Sequence, residues 1–469
     1  MVVLNNFREI FDASCKQTRI SLPTLKDNYL KIVYGNCDNE QETSNGPELP
    51  LPFADSGVIN ARLCKWRRLT AEHPDYKPVY EVTLDIKGSN LIFRPGDTIG
   101  IIPQNIDTEV ANIIDHLELA EVADCTYCLT INSDQKGAKI PLHVPVKSTL
   151  RYVLTHCVDI RGIVKKLFLL ALANYTEDDH EKQVLEYLCS KEGSAVYNNY
   201  ILNQKLCILD IFQIFKSCKP PVEVILQHLP RLLPRPYSII NSGLKNPNEL
   251  KICFSVINIG NNRKGLVTGW LESIINENGL ENMMKNITIV DKKENKLLGN
   301  IPIYLRKNIN QFSFPEEISR SMILIGPGTG VAPYIGFLEE RNDCNIKDKN
   351  IWLFFGCRHP NYDFIYKEEL QNFIDGGALS KLSTAFSRYD NCDNKYVQDA
   401  ILRDGDRVAN VLKQGALVYV CGDVQGMAAQ VKDCFVKCLI DFGNYTTEQA
   451  ERFICDMQKE KRYLVDSWN

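Results

Sequence analysis

The run Met322-Ile-Leu-Ile325, followed by Gly326-Pro-Gly328-Thr329-Gly330 and then Val-Ala-Pro333, constrains this chain more than any other feature. Four apolar residues read as a buried strand, and APYIGFLEER beyond the glycines reads as a helix. Glycines between strand and helix let the backbone turn sharply and approach a pyrophosphate, whose charge the helix N-terminus favours. A plain tight turn would use the same residues, so the loop alone leaves both readings open. It is not a P-loop, because no Lys-Ser/Thr pair follows the glycines. Downstream the pattern keeps alternating: NIWLFFGCR, DFIYKEELQNF, LSTAFSR and later LVYVCGD. That alternation predicts an α/β domain with a doubly wound parallel sheet over residues 316–469.

Upstream the period differs. VYEVTLDI and LIFRPGDTIGIIP read as short strands with a Pro-Gly-Asp turn, and strand character returns at RPYSIINS and LKICFSVINI. Between them, from about 107 to 229, segments such as VANIIDHLEL and LCILDIFQIF carry helical periodicity. The expectation is a β-barrel domain over 51–315 interrupted by a helical insertion. Residues 1–50 are expected to be an irregular linker or tether, since 36–52 is rich in Asn, Glu, Gly, Ser and Pro.

At 469 residues the chain has room for two or three domains of about 100–200 residues each. A net charge of −4 gives no reason to expect nucleic acid. The opening MVVLNNFREIFDAS lacks the basic start and apolar core of a signal peptide. The most apolar helical stretch, around Phe168 to Leu172, falls well short of the roughly 20 residues needed to span a bilayer. No membrane segment is expected. Seventeen cysteines spread over so long a chain suit reduced thiols in a cytoplasmic protein better than a disulfide scaffold. The one C-x-x-C, Cys125 and Cys128, lacks the further ligands of a zinc site and reads as structural; no metal is expected.

Which nucleotide would meet the glycine loop can be read from the ends of the next strands. An NAD site places an acid there to hold the ribose hydroxyls. This chain has Arg358-His359 after one strand, Ser387-Arg388 after another, and Lys395-Tyr396 soon after. Cations and hydroxyls suit a 2′-phosphate, Arg as a rigid fork and Lys as a point charge, and so favour NADP over NAD. A second group is Arg235-Pro236-Tyr237-Ser238, where a cation, a flat ring and a hydroxyl could meet a flavin nucleotide; the same residues are also ordinary in strands. Gly265-Leu266-Val267-Thr268-Gly-Trp opens a helix whose amides could take a phosphate. Tyr419-Val-Cys421-Gly-Asp423 runs into the carboxyl edge of the sheet, where open α/β sheets bind ligands. Cys421 could equally be a small buried apolar residue. The terminus ends Tyr463-Leu-Val-Asp466-Ser-Trp468-Asn469.

Taken in order, RPYS, GLVTGW, GPGTGVAP, FFGCR, SR with KYVQ, YVCGD and YLVDSW resemble the NADPH–FAD module of the diflavin reductases, the family of cytochrome P450 reductase and the nitric oxide synthase reductase region. The likeness runs from about residue 51 to 469. It implies a ferredoxin-reductase-like FAD domain with a connecting insertion, followed by an NADPH domain. It implies FAD contacts from Arg235, Pro236, Tyr237 and Ser238, and pyrophosphate contacts from Gly265, Leu266, Val267 and Thr268. Gly328 and Thr329 would meet the NADPH pyrophosphate. Ser387, Arg388, Lys395, Tyr396, Val397 and Gln398 would hold its 2′-phosphate end, with Lys77 a further basic contact. Ser238, Cys421, Asp466 and Trp468 would form the hydride-transfer centre, Trp468 stacking over the flavin until nicotinamide enters.

Within that family the insertion, LRYVLTHCVDIRGIVKKLFLLALANYTED and LCSKEG, resembles the member whose electrons serve the cobalamin enzyme methionine synthase. The acceptor so implied is methionine synthase, a flavodoxin-like FMN domain, or both. Two departures stand out. Gln430 occupies a place where the family carries an acid, and only some 50 residues precede the likeness, so FMN is not expected on this chain. A single-flavin NADPH:flavodoxin or ferredoxin-type reductase is an alternative, and a non-catalytic module that keeps the fold to bind a partner is another.

Overall fold

Val79–Asp85, VYEVTLD, is rich in β-branched and aromatic residues, which fit a pleated, half-buried surface. It lies inside a six-stranded antiparallel sheet of order Arg235–Ser238, Thr98–Ile101, Leu298–Arg306, Ile59–Arg68, Val79–Asp85 and Glu249–Ser255. A single bridge, Ile239↔Ile252, links the segments at the two ends of that order. Val82, Leu84, Ile99, Ile252 and Ile303 fill the interior. A computed structural model describes residues 10, 12, 19–35, 50–132, 137–259, 263–287, 298–315, 317, 320–346, 351–390, 392–423 and 426–468.

The second sheet has five parallel strands in the order Lys381–Phe386, Ile351–Cys357, Met322–Ile325, Leu417–Asp423 and Tyr463–Trp468. Side chains alternate across a strand, and the core divides accordingly. Met322, Leu324 and Leu353 pack with Phe337 and Leu338 of the Ala332–Asp343 helix. Ile323, Ile325 and Phe354 face the other way, onto Phe435 and Leu439 of Met427–Gly443 and Ile454 of Thr447–Lys459. Helices thus cover both faces. The two sheets belong to one compact unit: Pro52–Ile102, Arg235–Ile257 and Val267–Asn469. Within it a Cβ on Gly336 would lie 3.0 Å from Pro95 and from Ile240, so a glycine lets helix and antiparallel sheet approach closely.

A second unit comprises Met1–Leu51, Pro103–Pro234 and Asn258–Leu266. It holds the expected helices, among them Asp107–His116, Leu150–His156, Lys166–Ala173, Asp179–Cys189, Ile208–Ile214 and Val222–His228. Phe168 to Ala173 are all buried, which accounts for the apolar run without a membrane. Among the described residues no helix is long and apolar enough to cross one.

Two differences from expectation fall in this unit. Leu30–Tyr34, in the stretch read as irregular, pairs with Thr126–Ile131, which pairs in turn with Lys147–Thr149. Each strand is short and its partner distant in sequence, so periodicity alone does not reveal the sheet. The expectation of reduced thiols fails at Cys128, which is disulfide-bonded, whereas Cys125 is free and exposed. Residues 36–49 lie outside the described ones.

Candidate functional site

Arg235–Ser238 lies against Thr98–Ile101 in antiparallel register, with Ser238 opposite Thr98 and Tyr237 opposite Ile99. Tyr237 packs against the antiparallel core and meets Phe254 edge-on, ring centroids 6.4 Å apart. Burial pushes its hydroxyl well above the ordinary phenol range. Ser238 is turned toward the other sheet: its Oγ donates to Asp466 Oδ2 at 3.2 Å, across 228 residues of sequence.

Asp466 sits in the last parallel strand, directly opposite Cys421. Burial raises its carboxyl above the usual range, while the Ser238 hydrogen bond and the charge of Arg306 pull it back. Cys421 is fully buried, and burial, then the neighbouring Asp466 charge, hold its thiol far above its ordinary value. This is a neutral thiol, not a poised nucleophile. A hydroxyl, a half-buried carboxylate and a polarizable sulfur therefore converge where the parallel sheet ends. The strand backbone at Trp468 stands opposite Asp423, while the Trp468 side chain lies outside what is described.

Two residues of this neighbourhood carry no sequence signal. Arg306 ends a strand and faces Thr98 in register, and its charge acts on Asp466. Tyr334, fully buried, donates to the Ile325 carbonyl at 3.0 Å and lies within electrostatic reach of Cys421 and Asp466. Neither belongs to a motif; each arrives from a different strand or helix.

The glycine loop is built for close approach. After Met322–Ile325 the chain makes a 3-10 turn, Gly328–Val331, and enters the helix with Pro333 in its first turn, where proline's missing N–H costs nothing. A Cβ on Gly330 would lie 2.2 Å from the Cys421 carbonyl oxygen, so this glycine lets the loop lie directly against the strand that carries Cys421. Gly328 has φ +56 and nothing within 4 Å of its would-be Cβ. Open space over a left-handed main chain before a helix start fits a pyrophosphate.

The cationic groups gather at the ends of the neighbouring strands. Ser387 N donates to the Cys357 carbonyl at 3.0 Å and Arg388 N to that of Arg358 at 2.8 Å. Lys395 Nζ reaches the Tyr389 carbonyl at 2.8 Å. Asp399 Oδ2 accepts from the amides of both Lys395 and Tyr396, which caps the Val397–Arg403 helix; Tyr396 itself is 62% exposed. Gln398 donates to Gln430 at 2.7 Å, so the residue that departs from the family pattern touches a predicted nucleotide contact. Lys77 is exposed on a loop of the antiparallel sheet.

Gly265 and Leu266 are described with the helical unit, Val267 and Thr268 with the other. A helix, Leu266–Ile287, does start there as expected. Thr268 is buried and accepts from Ile257 N at 3.3 Å. Upstream, Arg161 Nη1 donates to the Lys264 carbonyl at 2.8 Å while its other nitrogens pair with Glu109. Among the described residues no group of three or more His, Cys, Asp or Glu could hold a metal.

The fold and site define a two-nucleotide flavoprotein oxidoreductase. Residues 51–270 match the family model for an FAD binding domain, and residues 324–433 that for an oxidoreductase NAD-binding domain. The chain is 34% identical to methionine synthase reductase of Homo sapiens over all of its length and 69% of the relative's. It is 33% identical to that of Rattus norvegicus over 97% of its length and 66% of the relative's. NADPH–cytochrome P450 reductase of Musca domestica is 33% identical over 89% of this chain and 59% of its own length. The chain belongs to the diflavin reductase family. It spans about two thirds of the length of the methionine synthase reductases it matches.

Proposed function

We propose that the chain is an NADPH-dependent FAD reductase module that draws hydride equivalents from NADPH and sends electrons toward reductive reactivation of methionine synthase, in methionine biosynthesis. The observation that carries this reading is the meeting of Ser238, Asp466 and Cys421 beside the glycine loop. FAD, when bound, supplies the redox chemistry, taking two electrons at once and releasing them singly. Everything else falls to the protein.

Arg235, Pro236, Tyr237 and Ser238 would bind the flavin, with Gly265, Leu266, Val267 and Thr268 at its pyrophosphate. Gly328 and Thr329 would seat the NADPH pyrophosphate. Ser387, Arg388, Lys395, Tyr396, Val397, Gln398 and Lys77 would hold the 2′-phosphate end. The Asp466 carboxylate orients the Ser238 hydroxyl and presents negative charge to a nicotinamide that becomes positive as it is oxidised. Cys421 fills the floor without competing as a base. Trp468 would shield the flavin and yield to nicotinamide, and Gln430 tunes the nucleotide site through Gln398. Holding the reacting atoms about 3–3.5 Å apart is the main catalytic task.

The six antiparallel strands would form a ferredoxin-reductase-like barrel and the five parallel ones a doubly wound NADP domain, with the boundaries near 51, 107–229 and 316. The names of the relatives support methionine synthase as the acceptor; the reading adds a flavodoxin-like FMN domain as the route to it and a cytoplasmic setting.

The test begins with the visible spectrum of the purified protein. A yellow protein that bleaches rapidly on anaerobic mixing with NADPH, and slowly with NADH, is expected. A colourless preparation that takes up no FAD sinks the proposal, and equal efficiency with both nucleotides removes the 2′-phosphate assignment.

A further inference from the structure

Between the strands Ile59–Arg68 and Val79–Asp85 of the antiparallel sheet lies a loop, residues 69–78, that reaches the nucleotide side of the same unit. The loop is internally braced. The buried Thr70 hydroxyl donates to the Lys77 carbonyl and accepts from Val79 N, both at 3.1 Å, and Tyr76 N donates to the His73 carbonyl at 3.1 Å. So supported, it meets the segment that follows the Ile351–Cys357 strand. Ala71 N donates to the Tyr362 carbonyl at 2.8 Å, and the rings of His73 and Tyr76 pack on Tyr362 at 5.0 and 5.1 Å.

The central contact is with Arg358. Its guanidinium carbon stands 4.3 Å from the centroid of the Tyr76 ring, and Nη1 donates to the Asp75 carbonyl at 2.9 Å. From the other side Asp363 Oδ2 accepts from Arg358 Nε at 3.0 Å. Ring, carbonyl and carboxylate thus fix one guanidinium plane. The Arg358 carbonyl in turn accepts the Arg388 amide, and both cations act on the Tyr76 hydroxyl. Tyr76 is 8% exposed, so its ring is a fixed platform and not a mobile surface group.

We propose that Tyr76 is a positioning residue for recognition of the 2′-phosphate: its ring face holds the Arg358 guanidinium in one orientation before the nucleotide binds. This rests on the NADPH reading above. An arginine side chain is flexible in solution, and recognition by its planar fork depends on being pre-organised. Stacking on an aromatic face supplies that order and an electrostatic attraction besides. Specificity for the phosphorylated nucleotide is then set partly by a loop of the antiparallel sheet, a segment outside the nucleotide-binding fold. The hydroxyl of Tyr76 is not required; the ring is.

The test uses the full FAD-bound chain and titration calorimetry with 2′,5′-ADP and with ADP, which lacks the 2′-phosphate. Tyr76→Leu should weaken 2′,5′-ADP by about five- to twentyfold, the scale of one desolvated cation–π contact, and leave ADP within about twofold. Tyr76→Phe should bind both like the parent. In steady state the Leu variant raises KM for NADPH with kcat kept. Should Leu lose FAD or melt early, Tyr76→Met fills the volume without a π face and must show the same split. Equal weakening of both ligands, no weakening, or a Phe variant as poor as Leu overturns the proposal alone. A parent protein that does not prefer 2′,5′-ADP to ADP overturns the NADPH reading with it.

Discussion

Asp210 is 3% exposed and accepts from the Arg263 guanidinium, from the Cys207 amide at 2.9 Å and from the Cys207 thiol at 3.3 Å. Arg263 also donates to Cys207 Sγ at 2.8 Å, and burial followed by the Asp210 charge pushes that thiol up to about 11. This pair ties the Arg263–Lys264 strand, one residue before Gly265, to the start of the Ile208–Ile214 helix. Asp210→Ala leaves a guanidinium that is only 17% exposed without its counterion, which costs about 3–5 kcal/mol. It also removes the acceptor that caps the helix, about 1 kcal/mol more. For a unit of roughly 150–250 residues, 1 kcal/mol moves Tm by about 2–4 °C, so the transition of the helical unit should fall by roughly 8–24 °C. FAD affinity should drop with it, since the segment leading into Gly265 loses its anchor. Scanning calorimetry of the FAD-loaded protein reads the first effect, and FAD titration of the stripped protein the second. The double variant Asp210→Leu with Arg263→Met removes both charges and should recover much of the loss. A single variant that shifts Tm by under about 2 °C, as a solvent-exposed pair would, refutes the reasoning. So does a double variant that melts below Asp210→Ala.

Further outcomes follow at Asp466, at two glycines of the loop and at Trp468. Asp466→Asn should slow flavin reduction about a hundredfold, the scale of one pre-organised electrostatic contact, with stopped-flow spectroscopy as the check. The same variant should gain stability over the parent as pH rises. The folded carboxyl is raised by burial, so between the ordinary value near 3.8 and the folded value only the unfolded chain ionises, and the parent loses stability there. A Tm difference that is flat with pH counts against the burial argument. Gly330→Ala should cost about 1–3 kcal/mol because its Cβ meets the Cys421 carbonyl. Gly328→Ala meets no neighbour and should mainly weaken 2′,5′-ADP binding through its φ of +56; melts and calorimetry separate the two. Trp468→Ala should improve use of NADH, measured as kcat/KM, and an unchanged preference would leave its shielding role unsupported.

Local chemistry was legible from sequence wherever a short run had to meet a geometric demand by itself. The strand, glycines and helix at Gly326 to Pro333 need one another within a dozen residues, and the basic strand ends at Arg358 and Arg388 follow directly from the same alternation. The three-stranded sheet of Leu30–Tyr34, Thr126–Ile131 and Lys147–Thr149 escaped because each strand is short and its partner is distant. Cys128 escaped for a similar reason: the spread of cysteines over a long chain suggested reduced thiols, and a disulfide is set by position in space.

What the sequence alone determined is the kind of site: a loop able to seat a pyrophosphate, cations suited to a 2′-phosphate, and an Arg-Pro-Tyr-Ser strand able to meet a flavin. Only the tertiary structure decided which groups act together. It set Ser238 against Asp466, brought Arg306 and Tyr334 to the same carboxylate, put Gln430 on Gln398, and laid Tyr76 beneath Arg358. The physical reason is range. Backbone geometry is dictated by neighbouring residues, whereas burial, side-chain pairing and ring stacking depend on segments far apart in the sequence, which only packing brings within a few ångströms.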